Sequence, residues 1–391
     1  MAREMTHVHA AIAAASDRWR RDRRERQARR HLDPADFAEL RSAGFLETVV
    51  PIDQGGLWVD PRRSTRPVAE MLRTLAGGDA SVALVASMHP AVVGFWLVND
   101  DASPGWQEQR RAVFDTALAG EQWGTITSEP GSGGDITRTR SAATPAPDVE
   151  PCIVGDAYRI TGDKHFGSGS GVTSFMITSG LPAGSDEPAM FVLDVRGRPW
   201  NGAGGMAITA EWDGMGMEAT QSHAMRLQDM PAVRLAWPRP LEELTLAASP
   251  LISTLFTAVV LGVLDEAVGL ARSQVADRAG TLRPYEQVEW TRAEMDHWLA
   301  VQAYEGALRA VESGVADTAL HATQRAKQAV AGLAEAALLR LTRVLGGGTF
   351  SRRSPYSHWF EDVRALGFLR PPWGLAFDGL FATSLGGVDG A

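Results

Sequence analysis

Apolar residues recur at three- and four-residue spacing through the first third of the chain, switch to alternation in the middle, and return to helical spacing in the last third. Residues 1–30 read as a helix ending in a basic run, Arg18 to Arg26; the interleaved Asp17, Asp22 and Glu25 point to a solvated face or a subunit contact. Asp33-Pro34 opens the next helix as N-cap and first residue, with Phe37 and Leu40 on one face and Gly44 near its end. Arg66-Pro67 begins another, carrying Val68, Met71, Leu72 and Leu75. Asp79 caps an apolar helix from Val82 to Met88, His89-Pro90 follows, and a second apolar run extends from Val92 to Val98.

From about Trp123 to Trp237 the period becomes two. Tyr158 and Ile160, Phe175 and Ile177, Phe191 and Leu193, and Met225 and Leu227 alternate as in half-buried strands, with Gly and Pro clusters between them. This predicts a small antiparallel barrel or sandwich. Ser249-Pro250 starts a long helix with Leu251, Leu255, Val259, Leu261 and Leu264, ending about Gly280. Helices over Pro284 to about Val311, over Ala316 to Leu345 and around His358 to Leu366 follow. The fold class is α+β, with domains expected at residues 1–120, 121–238 and 239–391.

Composition narrows the function. A net charge of −9 over 391 residues argues against nucleic acid as the main partner. No run of about 18 uninterrupted apolar residues marks a membrane span. The single Cys152 excludes an internal disulfide framework and a cysteine-based metal cluster, and makes the cytoplasm the default location. Only two lysines, Lys164 and Lys327, stand against a large excess of arginine, so Lys164 is either a compact ammonium required at a site or a surface residue of a hairpin.

Candidate chemistry gathers in three glycine-punctuated stretches. Trp123 to Asp135 sets the hydroxyls of Thr127 and Ser128 before Glu129-Pro130 and a turn with Gly131, Gly133 and Gly134, where backbone N–H groups can approach a planar, partly anionic ring. Gly162-Asp163-Lys164-His165-Phe166-Gly167-Ser168 and Trp212-Asp213-Gly214-Met215-Gly216-Met217 supply the second and third. With Leu345-Gly346-Gly347 and a late Asp362-Val363-Arg364, their order resembles the acyl-CoA dehydrogenase superfamily of flavoproteins, from about Asp33 to about Phe381.

The resemblance implies an N-terminal helical domain, a central β domain and a C-terminal four-helix bundle. It also implies FAD, with FMN as the alternative if the chain is a monooxygenase. Thr127, Ser128 and Gly133 would serve the pyrimidine side of the flavin, with Phe166 and Ser168 at the other end. Arg278, Arg343, Gly346 and Gly347 would serve the pyrophosphate half, on a neighbouring subunit's cofactor. Gly134, Met215 and Arg370 would face substrate. A homotetramer or homodimer is implied, and no metal.

Dehydrogenation of a thioester needs a carboxylate to take the α proton. The family's usual position, eight residues after Asp362, holds Arg370 followed by Pro371-Pro372, and its second location falls near Ile252. His89, Glu218 and Asp378 are candidates for a relocated base. Arg370 either binds a substrate carboxylate or stabilises a developing anion, or it is a surface arginine. Gly133-Gly134-Asp135 lacks the serine that helps hold CoA, so a carrier-protein thioester or a free small molecule competes with acyl-CoA. The first reading is a FAD-dependent dehydrogenase or oxidase on an acyl-thioester-like substrate. The second is a monooxygenase supplied with reduced flavin by a separate reductase, and the third a non-redox binding or scaffold protein.

Overall fold

The structure, a computed structural model, describes residues 4–384. Six helices lead: α1 (Met5–Arg21), α2 (Arg23–Gln27), α3 (Pro34–Ala43), α4 (Pro61–Gly78), α5 (Ala80–Val98) and α6 (Pro104–Leu118). Seven strands follow: β1 (Trp123–Thr125), β2 (Ala142–Pro145), β3 (Ala157–Gly167), β4 (Phe175–Pro182), β5 (Ala189–Asp194), β6 (Met206–Ala210) and β7 (His223–Arg234). The chain then returns to helix in α7 (Leu241–Ala276), α8 (Pro284–Ser313), α9 (Ala316–Leu345), α10 (Pro355–Arg364) and α11 (Trp373–Ser384). The α+β class and the helical, β, helical order are those the pattern predicts.

Sequence punctuation misplaces three helix starts. Pro67 lies inside α4, which begins at Pro61, Pro90 lies inside a continuous α5 rather than between two helices, and Pro250 lies inside α7, which begins at Leu241. A proline within a helix removes one backbone hydrogen bond. At these three positions burial of the surrounding apolar side chains outweighs that loss, with Val68 and Met71 buried beside Pro67, Val92 and Val93 beside Pro90, and Ala248 and Leu251 beside Pro250. The periodicity also leaves α6 and α11 unmarked. Both α5 and α7 are long and apolar enough to cross a membrane, yet most of each is buried within the protein, as a core helix is.

The sheet runs β1-β4-β2-β3-β7-β5, with β6 against β7. Pairing of β4 with β5 closes β4, β2, β3, β7 and β5 into a ring. It is mainly antiparallel, but β1 and β2 each pair with β4 in parallel, which alternation alone does not reveal. Two cores result. One lies inside the barrel, around Ile160, Phe191, Leu227 and Met230. The other is continuous from α1 through α5 to α7 and α9, and it reaches the sheet through Trp123, Phe175 and Val192. The N-terminal basic run is only partly solvated: Arg26 is buried, bonded to Asp36 at 2.6 Å and Asp79 at 2.8 Å, with its guanidinium over Trp19.

Candidate functional site

The glycine-rich stretches converge. The Glu129 carboxylate accepts from Lys164 Nζ at 2.6 Å, from the Ser141 hydroxyl at 2.7 Å and from the Arg140 N–H at 2.7 Å. Lys164 also donates to the Ser179 carbonyl at 2.6 Å and is completely buried, so it is neither a surface lysine nor free for a ligand. Burial pushes the Glu129 carboxyl up, but the bonds from Lys164, Thr139 and Arg140 hold it down at about 2. Beside this pair the His165 N–H donates to the Ser128 carbonyl at 2.8 Å, which ties the first stretch to the second.

The third stretch joins the late acidic segment. The Asp362 carboxylate accepts from the Met217 N–H at 2.6 Å, and burial pushes Asp362 up to about 7. Gly216 permits this approach: at φ 109° a Cβ there would meet the Glu361 carbonyl oxygen at 2.5 Å.

A cavity of about 450 Å³ opens between α5, the strand edge at Thr125 and Thr127, the Gly134-Asp135 turn, α7 and the Arg370-Pro371 turn. Met88, Val92, Phe95, Ile177, Met190 and Phe256 give it apolar walls. Both positions where the resemblance expects a base, Arg370 and Ile252, line it. Arg370 donates to the Ser128 hydroxyl at 3.2 Å and has no ion-pair partner among the described residues. Burial pushes its guanidinium down to about 10, an effect partly opposed by Asp135. Gly134 lies against Pro372, so that a Cβ on it would come within 2.7 Å of the proline ring.

Lys327, which the sequence marks only by rarity, holds this turn from behind. Fully buried on α9, it donates to the Leu366 and Pro371 carbonyls, each at 2.9 Å, and burial pushes it down to about 7.

The other candidates fall elsewhere. His89 is buried with both ring nitrogens engaged: Nε2 is 3.2 Å from the Leu46 carbonyl, and Nδ1 accepts from the Trp123 N–H at 3.2 Å. Burial pushes it down to about 4, so it is a neutral core histidine. Glu218 pairs with Arg30 in a separate small cleft, and Asp378 is exposed on α11. Met215 is exposed and does not line the cavity. Phe166, at φ 59°, presents an exposed ring with its edge toward Trp212, while Ser168 is buried against the Ser222 hydroxyl at 2.8 Å.

Arg278, Arg343, Gly346 and Gly347 gather at the far end of the bundle, where Arg278 donates to the Val344 carbonyl and Arg343 pairs with Glu289 at 2.9 Å. From Ser253 in the cavity wall to Ala276 the helix advances about 35 Å.

A Ser128 hydroxyl bonded to Arg370, with the exposed Phe166 ring one residue beyond the His165–Ser128 pairing, provides groups of the kind that suit a ring which gains negative charge, as a flavin does. Gly133, at φ 63°, has open space where a Cβ would sit.

No family model matches the chain. It is 25% identical over 352 residues to amino sugar nitrososynthase DnmZ of Streptomyces peucetius, covering 86% of this chain and 82% of that one. It is 24% identical over 396 residues to a pigment production hydroxylase of a Rhodococcus strain, covering 93% and 90%. Among solved structures, FMN-bound TdsC from Paenibacillus sp. A11-2 superposes with a TM-score of 0.79 at 19% identity, over 97% of both chains. Butyryl-CoA dehydrogenase of Megasphaera elsdenii superposes with a TM-score of 0.81 at 16% identity, over 97% of this chain and 98% of that one. The chain thus has the acyl-CoA dehydrogenase fold, and its resemblance to that superfamily extends to the branch that includes nitrososynthase and TdsC.

Proposed function

We propose that the chain is a flavin-dependent monooxygenase, supplied with reduced FMN or FAD by a separate reductase, and that it acts on a compact, largely apolar molecule. One observation carries this reading: where dehydrogenation needs a base facing the cavity, the cavity has Arg370 and Ile252. Its two carboxylates do not replace it. Glu242 is exposed at the rim, and Asp135 caps its own turn through the Thr137 N–H at 2.9 Å and hydroxyl at 2.6 Å. The nitrososynthase and hydroxylase relatives point the same way.

Bound reduced flavin would supply the two electrons with which oxygen gives one atom to substrate and one to water. The protein's own contributions follow from its residues. Arg370, oriented by Ser128, places a fixed positive charge where negative charge develops. The Met88, Phe95 and Phe256 walls exclude water from that charge and strengthen its field. The Glu129–Lys164 pair is internally neutral and braces the Ser128 edge without competing for the anion.

We also propose a homo-oligomer. The cavity and the Arg278–Arg343 corner are too far apart in one chain to serve one cofactor, and a second copy would bring its own corner to the first copy's cavity.

Mixing the reduced, flavin-loaded protein with oxygen in a stopped-flow instrument tests the reading. Flavin reoxidation should pass through a transient absorbing species, which Arg370→Ala shortens at least tenfold. Single-step reoxidation, together with anaerobic flavin bleaching by an acyl thioester, would instead establish dehydrogenation.

A further inference from the structure

We infer that the cavity takes a small monocarboxylate with a flat apolar body, its carboxylate seated on Arg370. This deepens the proposed function and rests on it only for the position of the flavin.

The charge balance of the site carries the inference. Of the cations near the Ser128 edge, Lys164 is already neutralised by Glu129, and Lys327 is bonded to two carbonyls behind the turn. Arg370 is the one cation lining the cavity, with one hydrogen bond to a neutral hydroxyl and no ion pair among the described residues; Asp135 acts on it only from beyond ion-pair distance. A guanidinium has five N–H donors in a planar fork that suits a carboxylate, and an apolar enclosure makes such a pair stronger than it is in water. Among the described residues most of Arg370's donors are unused.

The rest of the lining fixes the body and the charge number. Phe95, Phe256, Met88 and Met190 offer apolar and aromatic surface, and about 450 Å³ accommodates one or two fused rings. The interior polar groups Thr125, Ser249, Ser253 and Gln324 are neutral. Glu242 stands exposed at the rim and half-buried Asp135 lines the wall near Arg370, and both repel a ligand with a polyanionic tail. One cation flanked by two acids selects a single negative charge on a small molecule over a nucleotide or a diphosphate-bearing thioester.

The test is calorimetric titration of the full-length, FMN-loaded protein with 2-naphthoate and with 2-naphthol, which share a body and differ in charge. Naphthoate should bind at least tenfold more tightly. Arg370→Gln should abolish that preference, and Arg370→Lys should retain part of it. Equal binding of the two probes, or a preference that survives Arg370→Gln, would overturn the inference. The titration needs no turnover, so its outcome is separate from that of the oxygen experiment.

Discussion

At the scale of single residues, the Ser128 edge rests on a buried ion pair. Glu129 and Lys164 come from different stretches of sequence, and both are buried. Removing one partner leaves an uncompensated buried charge, which costs more than the intact pair contributes. Glu129→Gln keeps the shape and is expected to destabilise the protein by about 3–5 kcal/mol in denaturant unfolding, with Lys164→Met in the same chain restoring part of the loss. The native Glu129 carboxyl lies at about 2, below its ordinary 4.5, so its contribution is complete above 4.5 and lost as pH falls toward 2. The variant should lack that part of the acid dependence; an unchanged acid transition would remove Glu129 from it. Scarcity made Lys164 conspicuous in the sequence, yet its partner was indistinct, because Glu-Pro before glycines reads first as a turn. Three-dimensional pairing is invisible to spacing.

At the scale of elements, α9 controls the Arg370 turn through Lys327. Its ammonium bonds to carbonyls at both ends of the segment from Leu366 to Pro371, so a rigid helix fixes a short irregular stretch. Burial lowers Lys327 from 10.5 to about 7. Between those values the unfolded chain holds the proton and the native one does not, so this residue makes stability rise with pH across that window. Lys327→Met should lose the rise, and the wild-type melting temperature should gain on the variant's between pH 6.5 and 9 in calorimetry. A constant difference would mean that the lysine does not titrate there. Helix α9 itself was legible, from Ala316 to Leu345. The starts at Pro67, Pro90 and Pro250 were not, because local proline signals yield to tertiary burial. The resemblance marked Arg370 and Ile252 as two separate base positions, and their convergence on one cavity was not legible, since more than a hundred residues separate them.

At the scale of the molecule, helix α8 exposes Tyr285, Val288, Met295, Trp298 and Leu299 at helical spacing, an apolar stripe that packing within one chain leaves uncovered. That stripe suits the proposed assembly. Sedimentation should show a defined homo-oligomer, which Met295→Glu with Trp298→Glu dissociates with at least tenfold weaker flavin binding. A monomeric wild type would exclude assembly. The three-part order of helix, sheet and helix was readable from periodicity, while the closure of the barrel through β4 was not, because parallel pairing joins strands distant in sequence. The burial of both lysines has a further consequence. The cationic side chains on the folded surface are arginines and histidines, so the native protein presents its solvent with no lysine amine. Reagents that acylate or cross-link amines would find no lysine to modify until the fold opens, and their uptake at the two lysines would time the exposure of the barrel at Lys164 and of the helical bundle at Lys327.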